Sequence, residues 1–181
     1  MQECEAYAPV PELFWSLETG KPFAKCTLCG GAILKPGTNY AIQKSYNGRE
    51  PVFECAICLT CDKEIQKQVS KKSMQLVHHY FDEHVDFRGR AEKMLSLHGM
   101  DCIRWINECV IKGTPRDDCK EYIICGWCID EDMAYINMPF LISGEAVDEM
   151  MSLLSQQTKG ILDGINDQLF GADIPQGMIM I

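Results

Sequence analysis

Lys25-Cys-Thr-Leu-Cys-Gly30 and Glu54-Cys-Ala-Ile-Cys-Leu-Thr-Cys61-Asp62 are the stretches on which the reading of this chain turns. Two thiolates separated by two residues can turn toward one tetrahedral ion if a tight turn lies beneath them. Gly30-Gly31 supplies that turn chemistry directly after Cys29. The chain has 181 residues and 11 cysteines. An odd count argues against a disulfide scaffold, which would pair its thiols in an oxidising compartment. Glu3 and Glu5 stand where a secretory leader would be basic, and no apolar run follows them. The uncharged stretch from Met133 to Gly144 is too short to span a bilayer and contains Pro139. The expectation is a soluble, cytoplasmic protein that does not act on membranes.

Between the two cysteine stretches the pattern changes period. Thr38 to Ser45 alternates as a strand does, Asn47-Gly48 signals a type I′ turn, and Pro51 to Ile57 reads as the returning strand. Asp62 favours a helix N-terminus, and Ile65, Val69, Leu76 and Tyr80 recur at helical spacing, with Ser70 placed to cap a second helix.

A cysteine knuckle, a hairpin, and a second cysteine pair opening a helix follow one another in the order of treble-clef zinc domains. Residues 24–80 resemble that motif class. The resemblance implies one zinc ion held by Cys26, Cys29, Cys58 and Cys61, with Cys55 left on the last strand. Thiolates at a helix N-terminus feel its positive end, which favours the metal-bound form. An iron–sulfur cluster on Cys55, Cys58 and Cys61 would want a fourth cysteine at position 65, which is Ile65. A RING-type cross-brace would want one at 64, which is Glu64.

The expected class is α+β. An arm (1–20) carries Leu13, Phe14, Trp15 and Leu17, a zinc module occupies 21–87, and a mostly helical half occupies 88–181. Residues 88–111 read as mainly helical, Met133 to Ile142 as extended, and Ser143 as the cap of a helix. A further apolar stripe runs from Thr158 to Leu169 and stops at Gly171. The second half echoes the first. Lys25-Cys-Thr-Leu-Cys-Gly30 matches Glu108-Cys-Val-Ile-Lys-Gly113, and Glu54 to Asp62 matches Glu121-Tyr-Ile-Ile-Cys-Gly-Trp-Cys128-Ile129. Val69-Ser-Lys-Lys-Ser73 matches Leu154-Ser-Gln-Gln-Thr158. If this is a diverged duplication, Cys109, Cys125 and Cys128 are three ligands of a second zinc site. Cys119, Cys102 or His98 would complete it, because Lys112 is a poor ligand at neutral pH.

Charge is uneven along the chain, which carries −9 in total. Residues 21–72 hold nine Lys/Arg against four Asp/Glu, and residues 73–181 hold eight against eighteen. Lys21, Lys25, Lys35, Lys44, Arg49, Lys63, Lys67, Lys71 and Lys72 would suit phosphate contacts, although the acidic half repels a polyanion. Cys125-Gly-Trp-Cys128 has the spacing of a thiol redox motif, but no βαβ pattern precedes it. His78, His79, His84, Asp82 and Glu83 read as a solvated helix face. No zinc-protease helix motif, phosphate-cradling loop or nucleophile elbow is present. The expected function is therefore non-catalytic: a zinc-stabilised adaptor or regulator that binds a protein partner. Met150, Met151, Met178 and Met180 offer either adaptable contact surface or core packing. A nucleic-acid-binding regulator and a thiol redox protein are the alternatives.

Overall fold

A computed structural model describes residues 6–171 of the chain. Cys4, Met178, Met180 and the apolar stretch 175–181 lie outside the described residues. Six strands form one antiparallel sheet: β1 (Tyr7–Pro9), β2 (Asn39–Asn47), β3 (Glu50–Cys58), β4 (Glu121–Ile129), β5 (Asp132–Ala134) and β6 (Phe140–Ser143). The helices are α1 (Leu59–Gln68), α2 (Lys71–His84), α3 (Phe87–His98), α4 (Cys102–Trp105), α5 (Gly144–Leu153) and α6 (Gln156–Phe170). The fold is α+β.

The expected hairpin is β2 and β3, but its loop lies one residue later than the dipeptide Asn47-Gly48 suggests. Asn47 still pairs with Glu50, leaving Gly48-Arg49 as the two-residue connection. Gly48 has φ 59°, and Arg49 is not among the positive-φ residues. Glycine at the first central position alone is the type II′ arrangement. A register irregularity at Ser45/Tyr46 absorbs the difference.

β4 is the element that period reading missed. Its burial pattern shows no alternation, since Tyr122 through Gly126 are all buried. A strand covered on both faces has no polar side to alternate with. It lies between β2 on one edge and β5 and β6 on the other, and it pairs with β2 from Asn39↔Ile129 to Asn47↔Glu121. Strands drawn from 21–87 and from 88–181 therefore share one sheet.

Cross-strand partners share a face. One face carries Phe53, Cys55, Ile57, Cys125 and Phe140. Helices cover it: Phe140 meets Phe81 of α2 and Phe87 of α3, and Phe53 meets Phe170 of α6 at a ring separation of 4.9 Å. On the other face the N-terminal arm lies over Gly126, where a Cβ would come within 3.0 Å of Phe14 and 2.6 Å of Met133. Val10 and Phe14 are buried, whereas Leu17 of the same cluster is exposed.

The helix boundaries follow their caps. α1 starts at Leu59, ahead of Asp62, with Cys58 as N-cap, and Ser70 caps α2 by accepting from Ser73 N–H. The buried stripe of α2 is Ser73, Val77 and Phe81, so Leu76 is turned outward. The expected helix over 88–111 divides at Gly99 and ends at Trp105, after which residues 108–115 form a tight loop closed by the Glu108↔Pro115 bridge. Ser143 caps α5 and Gly171 ends α6, as expected. Met150 is core, fully buried.

Candidate metal centre

The loop after Lys25 turns back on itself through two hydrogen bonds, Cys26 N–H to Gly31 O at 2.8 Å and Gly30 N–H to Cys26 O at 2.9 Å. Gly30 has φ 69°, in the left-handed region that side chains disfavour. Thr27 fastens this loop to β3: its N–H donates to Ala56 O at 2.8 Å and its hydroxyl accepts from Ala56 N–H at 3.0 Å. β3 then delivers Cys58 to the N-cap of α1, and the first turn of the helix brings up Cys61.

The four Sγ atoms of Cys26, Cys29, Cys58 and Cys61 all lie within 4.8 Å of one another, and Cys29 and Cys58 are 4.0 Å apart. Sulfurs at the vertices of a tetrahedron around zinc would be separated by about 3.8 Å. The group can thus hold a metal ion with small adjustments. Cys26 is buried, Cys58 and Cys61 are half-buried and Cys29 is exposed, so an ion could enter from the Cys29 side.

The electrostatics follow from the same geometry. Burial pushes the Cys26 thiol up, but backbone N–H groups of Cys58, Cys29 and Leu28 aimed at its sulfur outweigh burial and bring it down to about 7. Burial, together with the neighbouring thiols, raises Cys58 and Cys61. Four sulfurs this close cannot all become thiolates on their own. A divalent cation among them inverts that balance.

Cys55 stands outside the cluster. It is three residues from Cys58 on β3, hence on the opposite face, where it is fully buried and its thiol is raised by burial. An iron cluster on Cys55, Cys58 and Cys61 is incompatible with this placement.

The second ligand set, Cys109, Cys125 and Cys128, is not gathered. Among the described residues no other group of three or more Cys, His, Asp or Glu ligand atoms comes together. Cys125 and Cys128 are three apart on β4 and so face opposite sides of the sheet. Burial lifts both thiols to about 12. Cys109 lies in the 108–115 loop, its sulfur accepting from Ser143 N–H at 3.2 Å, Ser143 Oγ–H at 3.3 Å and Lys112 N–H at 3.4 Å. Cys119 donates to Pro115 O at 3.4 Å. On α2, His79 and Glu83 form an exposed pair at 3.2 Å.

No family model, curated protein or solved structure matches this chain. The Thr27 clamp on β3 was invisible in the sequence, because a threonine inside a C-x-x-C spacer carries no signal until the opposing strand is placed.

Proposed function

We propose that the chain is a non-catalytic, zinc-stabilised interaction module of treble-clef type, an adaptor or regulator whose metal supplies folding energy. The observation that carries this reading is the tetracysteine cluster at the start of α1. Four protein sulfurs complete a tetrahedron and leave no position for a substrate, and an all-thiolate set suits zinc. Cys26, Cys29, Cys58 and Cys61 would hold the ion, tying the knuckle, β3 and α1 together. Free thiols throughout the described chain support a reducing, cytoplasmic setting. No helix among the described residues is long and apolar enough to cross a membrane.

For the partner, exposed Leu97, Met100 and Ile103 at the junction of α3 and α4 provide the apolar contact surface. The nucleic-acid alternative loses part of its patch, since Lys44 is buried against Glu54 at 3.1 Å and Lys67 is paired with Glu64. The redox alternative would need Cys125 and Cys128 on one face.

Elemental analysis of the purified protein is expected to give one zinc per chain, and removing the zinc is expected to unfold it. A chain that stays folded without metal, or that carries iron, overturns the metal reading. A photoreactive side chain at position 103 should crosslink a discrete protein in extracts of the native cells, and Leu97→Asp should abolish that product. Crosslinks to nucleic acid instead would favour the alternative.

A further inference from the structure

The 108–115 loop repeats the backbone hydrogen bonds of the knuckle that carries Cys26 and Cys29. Cys26 N–H donates to Gly31 O at 2.8 Å, and Cys109 N–H donates to Thr114 O at 2.8 Å. Gly30 N–H reaches Cys26 O at 2.9 Å, and Gly113 N–H reaches Cys109 O at 2.8 Å, with φ 69° and 68° at the two glycines. The bridge Lys25↔Ala32 recurs as Glu108↔Pro115. Thr27 N–H to Ala56 O recurs as Val110 N–H to Leu141 O, both at 2.8 Å.

The supporting elements repeat as well. Tyr40↔Cys58 and Ala41↔Ile57 of the first hairpin have the register of Tyr122↔Ser143 and Ile123↔Ile142. α1 and α5 are each 10 residues long, with Cys58 and Ser143 as their respective N-caps. Those N-cap residues direct their N–H at the knuckle sulfur, Cys58 to Cys26 at 3.4 Å and Ser143 to Cys109 at 3.2 Å. Finally, Ser70 N–H donates to Thr158 Oγ1 at 3.1 Å while Ser155 N–H donates to Ser73 Oγ at 3.0 Å, a reciprocal exchange between the caps of α2 and α6. Such an exchange is what a two-fold axis between two copies produces, and here that axis passes through the central Gln43↔Cys125 pair of β2 and β4.

We propose that the 108–115 loop and the start of α5 are a second copy of the metal centre in which an ion pair has replaced the cation, and that cysteine at positions 112, 143 and 146 restores a second divalent-metal site. The counterparts of Cys29, Cys58 and Cys61 are Lys112, Ser143 and Ala146. Cys125 and Cys128, which the sequence echo aligned with Cys58 and Cys61, instead belong to the strand equivalent to β2. Only Cys109 survives of the four sulfurs. Lys112, standing where Cys29 stands, extends to Glu149 and lies 3.9 Å from Glu145, both on α5, and Tyr80 of α2 donates to the other oxygen of Glu149. The loop is thereby tied to the helix by charge, as a cation would tie the first loop to α1.

The test is cobalt titration of the full chain and of Lys112→Cys/Ser143→Cys/Ala146→Cys, read by the visible absorption of thiolate-bound cobalt. The triple variant is expected to take two equivalents where the parent takes one. Saturation of the folded variant at one equivalent overturns the proposal. The double variant Lys112→Cys/Ser143→Cys keeps the buried Ala146 and guards against a packing failure, and it should still take a second equivalent through three sulfurs. If neither variant folds, the proposal fails too, because positions equivalent to Cys29 and Cys58 should accept cysteine. This inference builds on the treble-clef reading, yet the two fail separately. A parent chain without bound metal sinks the functional reading, whereas a triple variant with no more cobalt than its parent sinks only the repeat.

Discussion

Lys44 is 1% exposed, flanked in β2 by Gln43 and Ser45, and its ammonium has two partners, Glu54 at 3.1 Å and the Trp15 carbonyl. Glu54 accepts in turn from Leu17 N–H at 2.8 Å and from the Ser16 hydroxyl at 3.0 Å. One buried ion pair on adjacent strands thus holds the arm that places Phe14 over Gly126. Removing one member strands the other, and the two losses should be unequal. Glu54→Ala leaves a buried, uncompensated ammonium and should cost about 3 kcal/mol in urea denaturation. Lys44→Met should cost less, since Glu54 keeps two donors, Leu17 N–H and the Ser16 hydroxyl, and is 15% exposed to water. The opposite order would show that the lysine, and not the carboxylate, organises this corner. From the sequence Lys44 counted as part of a basic surface, because a lysine among alternating residues looks solvated until a carboxylate on the next strand is known to face it.

At the scale of elements, helix starts are where local sequence and structure agree best. Ser70, Ser143 and Ser155 each cap the helix that follows by accepting an N–H three residues on. What the caps do for one another is a tertiary matter. Ser73 and Thr158 are nearly fully buried and satisfy the N–H groups of Ser155 and Ser70. Ser73→Ala and Thr158→Val each orphan one of these donors and should each destabilise the chain by about 1–3 kcal/mol. Hydrogen exchange should accelerate at Ser155 in the first variant and at Ser70 in the second. If neither amide responds, the crossed bonds do not join α2 to α6. α3 is fastened differently: Arg90 donates to Trp105 O at 2.6 Å and Pro139 O at 3.0 Å while stacking over the Trp105 ring. Burial lowers its guanidinium to about 10, which leaves it charged at neutral pH.

For the molecule as a whole, the pairing of β2 with β4 couples the candidate metal centre to everything after it. Metal loss that frees the knuckle and α1 also strips support from β3 and β2, and so from the centre of the sheet. Chelation should therefore produce one cooperative transition. In a variant carrying Trp15→Phe and Trp127→Phe, the fluorescence of Trp105, buried beside Tyr135 in the second half, should change at the same chelator concentration as the sheet signal in circular dichroism. A first half that melts while Trp105 stays protected would mean that the halves are energetically independent.

Signals confined to a few neighbouring residues were legible in the chain itself. The C-x-x-C pairs, the glycine turn, the β2–β3 hairpin and the serine caps depend on backbone geometry within one turn or one loop, which residue type biases directly. Only the tertiary structure decided that residues 121–129 are a central strand, that Lys44 is buried, and that Ser143 N–H meets the Cys109 sulfur as Cys58 N–H meets that of Cys26. Each of these depends on which segment lies alongside which. That choice rests on burying both faces of a shared sheet, a free energy that no short window of sequence contains.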